Sequence, residues 1–275
     1  KLLKSKSKNS TIGHIHVPNK KAILQKKEIR INNIGQRGKD LDINKLDIYD
    51  RKIMFIGSSM LLGWGVEEEK IFTSIIKKKA EIDNRKWLIM NGGIGNYNTI
   101  RYVENYLENW SEIEIDDLIV AYFINDTEIL KQQNPNFFEK HTHIGVLIWK
   151  FINSQINIFK NENASDYYKN IYEDDFEGFN IAKNELKKLN SHCLIKNIKC
   201  RIILIPHVLK IKPYQFKFIN EKIINFSKNN DIEYYDLLDD LQKYENTKLM
   251  NDYNDRHINA FSHNVIGERL YEILN

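Results

Sequence analysis

Apolar residues in this chain gather into short continuous runs separated by longer stretches of helical period. The first run, residues 51–56, ends at Gly57, and residues 86–90, 117–124, 201–205 and 232–237 repeat the pattern. Apolar runs of about 4–8 residues without polar alternation read as strands buried on both faces. Between them, residues 67–82, 100–109, 176–189, 216–228 and 265–274 carry the spacing of helices. In the first of these Ile71, Phe72, Ile75 and Ile76 share one face, and the acidic residues at its start suit the helix dipole. Strands alternating with helices predict an α/β domain built on a parallel sheet. Residues 131–175 break the pattern and predict a helical insertion. Residues 1–27 have no clear period, and residues 28–38 predict a short strand and a glycine turn leading into the domain.

Composition sharpens this picture at the amino end. Of 275 residues 42% are hydrophobic and 28% charged, the balance of a globular chain. The first 30 residues hold nine Lys/Arg against Glu28 alone, so the rest of the chain carries a net negative charge. That distribution excludes a nucleic-acid groove on the folded body. It predicts a solvated basic arm or linker over residues 1–27 and a domain over 28–275. No run approaches the roughly 20 apolar residues of a membrane helix, the longest, 144–152, being broken by Lys150. Cys193 and Cys200 are too few for a disulfide framework, although one bridge between them is compatible with their spacing. No cysteine–histidine spacing suggests a metal site, and no cofactor is expected.

The candidate chemistry lies where predicted strands end. Ser58 and Ser59 follow Gly57, at the carboxyl edge where open α/β sheets bind ligands. The turn at Gly93–Asn96 follows the second strand and Asn125-Asp126 the third. Asp255-Arg256-His257 stands before the last helix. A serine hydroxyl needs a base to become a nucleophile, and a histidine steadied by a carboxylate supplies one. The oxyanion that forms needs donors, which a turn amide and an Asn side chain can provide.

These blocks resemble the SGNH (GDSL-type) hydrolases. Residues 57–66, Gly-Ser-Ser-Met-Leu-Leu-Gly-Trp-Gly-Val, are similar to the family's nucleophile block, in which Asp usually precedes the serine. Residues 91–99 resemble the second block and Asn125-Asp126 the Asn-Asp of the third. Asp255-Arg256-His257-Ile258-Asn259 is similar to the last, and residues 31–38 resemble a lead-in found in some bacterial members. The resemblance implies a three-layer α/β/α sandwich on a five-stranded parallel sheet of flavodoxin-like order 2-1-3-4-5. It implies a triad of Ser59, His257 and Asp255, with Asp252 the other acid in reach, and oxyanion donors from Ser59, Gly95, Asn96 and Asn125. Departures from the pattern are Ser58 for Asp, Ile124 for the glycine usual before Asn125, and Asn96 where the oxyanion glycine usually stands.

Plainer readings compete for several residues. Asn125-Asp126 could cap a helix, and His263 reads as structural. His141 and His143 read as solvated loop, His207 as pocket wall or satisfied core histidine, and Trp64 as a wall of the site. The expected activity is hydrolysis of a small-molecule or glycan ester, foremost deacetylation of a carbohydrate. The alternatives are acetyl transfer to a polysaccharide through the same triad, and a non-catalytic glycan-binding module. The basic arm behind a first residue that is not Met, together with the family's envelope-acting members, predicts a membrane tether upstream of Lys1 and a place outside the cytoplasm. A cytoplasmic esterase with a basic tail is the other reading.

Overall fold

The structure, a computed structural model, describes residues 3–130, 164–252 and 257–275. Its centre is a five-stranded sheet of β5 (Arg51–Gly57), β6 (Trp87–Gly93), β7 (Asp117–Tyr122), β8 (Lys199–Leu204) and β9 (Glu233–Asp236). These pair in parallel in the order β6-β5-β7-β8-β9, the expected 2-1-3-4-5. Every residue of β7, and all of β5 after Arg51, is buried, which is why both read as unbroken apolar runs.

Helices cover both faces. The chain leaves β5 toward β6 through α2 (Phe72–Ile82), then reverses to reach β7 through α3 (Thr99–Asn109). Right-handed crossovers therefore place α2 and α3 on opposite faces. A helix at Ala164–Ile171 (α4), then α5 (Glu177–Ile195) and α6 (Lys217–Asn229), continue in the second direction. The last helix, α7 (Ala260–Leu274), packs on α2. The reversal leaves a crevice between the carboxyl ends of β5 and β7, the position that binds ligands in such sheets.

Two helices start earlier than periodicity indicates, because capping sets their ends. Asn98 accepts from the Arg101 N–H at the head of α3, and Asn259 from the Ser262 N–H at the head of α7. Strand β6 likewise runs on through Asn91, Gly92 and Gly93, in register with Phe55, Ile56 and Gly57. Of the insertion expected at 131–175, residues 131–163 lie outside the described residues, as do His141 and His143.

The amino-terminal segment is a correction. Residues expected as a solvated arm form two antiparallel hairpins, β1 (Lys4–Lys6) with β2 (His14–His16) and β3 (Lys20–Leu24) with β4 (Lys27–Ile31). Ile12 is fully buried in the main core, and Leu3, Ile29 and Ile31 pack with Leu62. The second hairpin spans residue 28, so no boundary falls there. Alternation of lysines with apolar residues hides a half-buried hairpin, because only the inward side chains meet the core. Cys193 and Cys200 are free thiols, the hydrogen bond with Cys200 and then burial pushing the Cys193 thiol up. Among the described residues no helix is long and apolar enough to cross a membrane.

Charges buried at the sheet's other end hold it together. Asp117, 2% exposed, accepts from Arg51 Nε at 2.5 Å and from Arg201, which also reaches Glu233 at 2.8 Å. Burial alone would raise the Asp117 carboxyl, but the bonds to Arg51 and Arg201 outweigh it and hold it below its ordinary 3.8. Asp117→Asn should destabilise the fold by about 3 kcal/mol in urea denaturation near neutral pH, since it removes the buried charge shared by two guanidiniums, leaving Arg201 only Glu233. The wild-type contribution is complete above the unfolded carboxylate's pKa and is lost as pH falls through the lower folded value. The deficit of the variant should therefore shrink in acid; a constant deficit down to acidic pH would remove the ion pairs as its cause.

Candidate active site

The site is built at the carboxyl end of β5. Gly57 closes the strand, Ser58 turns the chain, and Ser59 opens α1 (Ser59–Leu62), a single helical turn ended by Gly63 in the left-handed region at φ 72°. That turn lies directly on the end of β6. A Cβ at Gly93 would stand 2.3 Å from the Leu62 backbone nitrogen, so no other residue at 93 lets α1 sit there. Asn91 fastens the same contact, its amide donating to Leu61 O at 2.9 Å while its carbonyl accepts from Gly93 N–H.

Behind the turn, Arg37 is 4% exposed and donates to the carbonyls of Leu62, Gly63 and Val66. One guanidinium thereby satisfies Leu62 O at the end of the short helix and ties it to two carbonyls of the loop that follows. Arg37 and Asn91 are residues whose roles the sequence did not reveal. Their only signals were membership of the 31–38 lead-in and of the second block.

Of the two adjacent serines, the fold distinguishes one. Ser58 is 2% exposed and its hydroxyl is buried without a hydrogen-bond partner among the described residues. Ser59 is half-buried, and its Oγ lies 2.8 Å from His257 Nε2 across 198 positions of sequence. Trp64 stands beside that imidazole, ring centroids 6.2 Å apart, as the expected wall. Asn251 joins the two loops: its N–H donates to His257 O at 3.0 Å and its side-chain amide to Trp64 O at 3.0 Å. The histidine loop is thus tied to the nucleophile loop through backbone carbonyls. Asp255 lies outside the described residues. Asp252 is exposed.

Gly95 is buried and its α-carbon faces Ser59: a Cβ there would stand 4.0 Å from the Ser59 Cβ. Asn96 adopts φ 62°, the left-handed geometry that asparagine tolerates better than most residues. Asn125 follows β7 at the same sheet edge, where Ala121 pairs with Gly57. Its side-chain oxygen is buried with no partner among the described residues, whereas the group expected to serve an oxyanion is the donor end of the same amide. The turn that carries it is held from below. Asp126 accepts from Phe123 N–H at 3.1 Å and from Tyr102 OH at 3.2 Å, and Tyr172 OH donates to Ile124 O at 3.0 Å. Burial raises the Asp126 carboxyl well above its ordinary value, against those two hydrogen bonds. Asp126 is therefore an anchor of this turn and not an N-cap.

His263 and His207 fall to structural positions. His263 is fully buried, accepts from Phe72 N–H at 3.2 Å and stacks on the Phe72 ring. His207 is buried and stacks on Phe123. No group of three metal-ligating side chains occurs among the described residues.

No protein-family model matches the sequence, and neither does any curated protein. Solved structures do share the fold. An acetyl xylan esterase, AlAXEase, superposes with a TM-score of 0.51 at 12% identity, covering 82% of this chain and 100% of its own. The lipase/acylhydrolase from Enterococcus faecalis gives 0.51 at 11% identity over 82% of this chain and 95% of its own. A lipolytic protein of the G-D-S-L family from Desulfitobacterium hafniense DCB-2 gives 0.50 at 10% identity over 82% and 99%. At these identities the likeness is one of fold.

Proposed function

We propose that this chain, which has the fold of the SGNH (GDSL-type) hydrolases, is a serine ester hydrolase. The observation that carries the reading is the 2.8 Å contact between Ser59 Oγ and His257 Nε2 at the mouth of the switch-point crevice. In this reading Ser59 attacks the ester carbonyl carbon while His257 Nε2 takes the hydroxyl proton. The tetrahedral oxyanion is held by the Ser59 N–H, the Gly95–Asn96 backbone and the Asn125 amide. Its collapse expels the alcohol, which receives the proton from His257, and leaves an acyl-serine. Water, deprotonated by the same imidazole, then releases the acid and restores Ser59. Asp255 is assigned the remaining role, accepting a hydrogen bond from His257 Nδ1 and steadying the imidazolium. An acetylated carbohydrate is the favoured substrate class; the likeness to an acetyl xylan esterase supports it at the level of fold only.

Labelling with a fluorophosphonate tests the assignment without a substrate. The reagent should add one phosphonyl group, placed on Ser59 by peptide mass spectrometry. An adduct on Ser58, or no adduct in a folded protein, would count against the reading.

A further inference from the structure

The first hairpin does more than cover the core. Lys4 Nζ reaches Gly95 O at 2.6 Å and His14 Nε2 lies 3.0 Å from the same oxygen, while the Tyr97 hydroxyl donates to His14 O. From the other side Arg101 donates to Asn96 O at 3.0 Å and to Leu130 O at 3.3 Å. Three basic side chains, Lys4, His14 and Arg101, thus converge on one two-residue turn beside Ser59, and Tyr97 ties the hairpin to it.

The position of the lysine is the informative feature. The space that a side chain at 95 would enter is bounded by Lys4 Nζ at 3.5 Å, Leu62 Cδ2 at 3.8 Å and Ser59 Cβ at 4.0 Å. The ammonium and the serine therefore stand around the same point, within 4.0 Å of where a side chain at 95 would begin, with only a glycine between them. Only one of the ammonium's three protons is used by Gly95 O. Among the described residues no carboxylate pairs with Lys4 or Arg101.

Two cations withdrawn from water beside each other, with no anion, form an arrangement that opposes folding. Burial, and then the Arg101 charge, pull the Lys4 ammonium down to about 8. Burial and then Lys4 bring His14 to about 4, against its bond to Gly95 O, so His14 is a neutral donor near pH 7. An unpaired charge of this kind is expected where a ligand supplies the counter-charge.

We propose that Lys4 anchors an anion-binding subsite beside Ser59, which selects ester substrates bearing a carboxylate or a phosphate near the scissile bond. The inference deepens the hydrolase reading and rests on it for the identity of the neighbouring nucleophile. In the subsite Lys4 contacts the anion directly, and Arg101 adds to the positive field.

Calorimetric titration of the Ser59→Ala variant with inorganic phosphate and with galacturonate tests the subsite without turnover. Adding Lys4→Gln keeps a donor for Gly95 O but removes the charge, and should weaken binding roughly 10-fold, the range of one charge-assisted hydrogen bond. The groups facing Lys4 among the described residues are His14, His16, Tyr97 and Arg101. His14 and His16 are neutral near pH 7, His16 being brought to about 3 chiefly by burial. Burial pushes Tyr97 up and so keeps it neutral, while Arg101 stays charged. Affinity for galacturonate, whose charge is constant over this range, should accordingly fall between pH 7 and pH 9 in the Lys4 protein and stay flat in the Lys4→Gln protein. A stronger response to galacturonate assigns a carboxylate, and to phosphate a phosphate group.

In turnover, the preference for the methylumbelliferyl succinate ester over the acetate ester, or for acetylated galacturonan over acetylated mannan, should drop by a similar factor in Lys4→Gln. Which pair responds tells whether the anion sits on the acyl or the alcohol side. Equal binding of both anions by the two proteins, or no binding to either at 10 mM, a concentration about 10-fold above a 1 mM Kd, would overturn the subsite. So would an unchanged preference in both substrate pairs. A protein that binds these anions through Lys4 yet hydrolyses no ester would overturn the hydrolase reading alone.

Discussion

Ser59→Ala is expected to reduce kcat for p-nitrophenyl acetate by roughly 10^4- to 10^6-fold, with KM changed little, because it removes the atom that forms the acyl-enzyme. The residual rate would come from the oxyanion donors, which remain. The adjacent serine provides the internal control. The Ser58 hydroxyl is buried and without a hydrogen-bond partner among the described residues, so Ser58→Ala should leave kcat within a few-fold of wild type. Circular dichroism and urea unfolding should place both variants close to wild type in stability. The opposite pattern, an active Ser59→Ala and an inactive Ser58→Ala, would transfer the nucleophile to Ser58. Equal loss in both would point to a displaced turn.

The second large effect belongs to His257. Replacing it with Gln keeps a polar side chain of similar reach but removes the base that accepts the Ser59 proton. A loss in kcat of the same order as for Ser59→Ala is expected, roughly 10^4- to 10^6-fold. Because the two residues act as a unit, Ser59→Ala combined with His257→Gln should be no worse than either alone. Two independent contributions would instead multiply. Steady-state rates for the four proteins decide between these outcomes, and a multiplicative loss would show that His257 does not act through Ser59. His263→Gln is the useful comparison, since that imidazole accepts from Phe72 N–H in the core. Its penalty should appear in stability, with kcat of the folded fraction retained.

Much of the architecture was legible in the chain. Continuous apolar runs become strands only where helices cover both faces, so the alternation carries the fold class directly. Gly57 at the end of a buried strand marked the turn that presents Ser59, and the strand-end Asn125 was visible for the same reason. Such features depend on near neighbours in sequence, where side-chain period and turn chemistry act. The choice between Ser58 and Ser59 came from the resemblance, and the fold adds a reason: the helical turn buries one hydroxyl and aims the other at His257.

Residues 1–27 mark where local reading stopped. Lysines spaced among Leu3, Ile12 and Ile15 have the composition of a solvated tail, and nothing in their order indicates what the apolar members meet. Docking on Leu62 and the core turns them into half-buried hairpins, and the same docking carries Lys4 to Gly95 across 91 positions. The Arg37 clasp on three carbonyls and the pairing of Ser59 with His257 are of the same kind. Sequence alone determined the alternating strands and helices and the polar residues at strand ends, because short-range periodicity decides these. Only the tertiary structure decided which distant charges lose water together and which hydroxyl meets the imidazole, because desolvation and hydrogen-bond geometry depend on neighbours that the chain brings together only when folded.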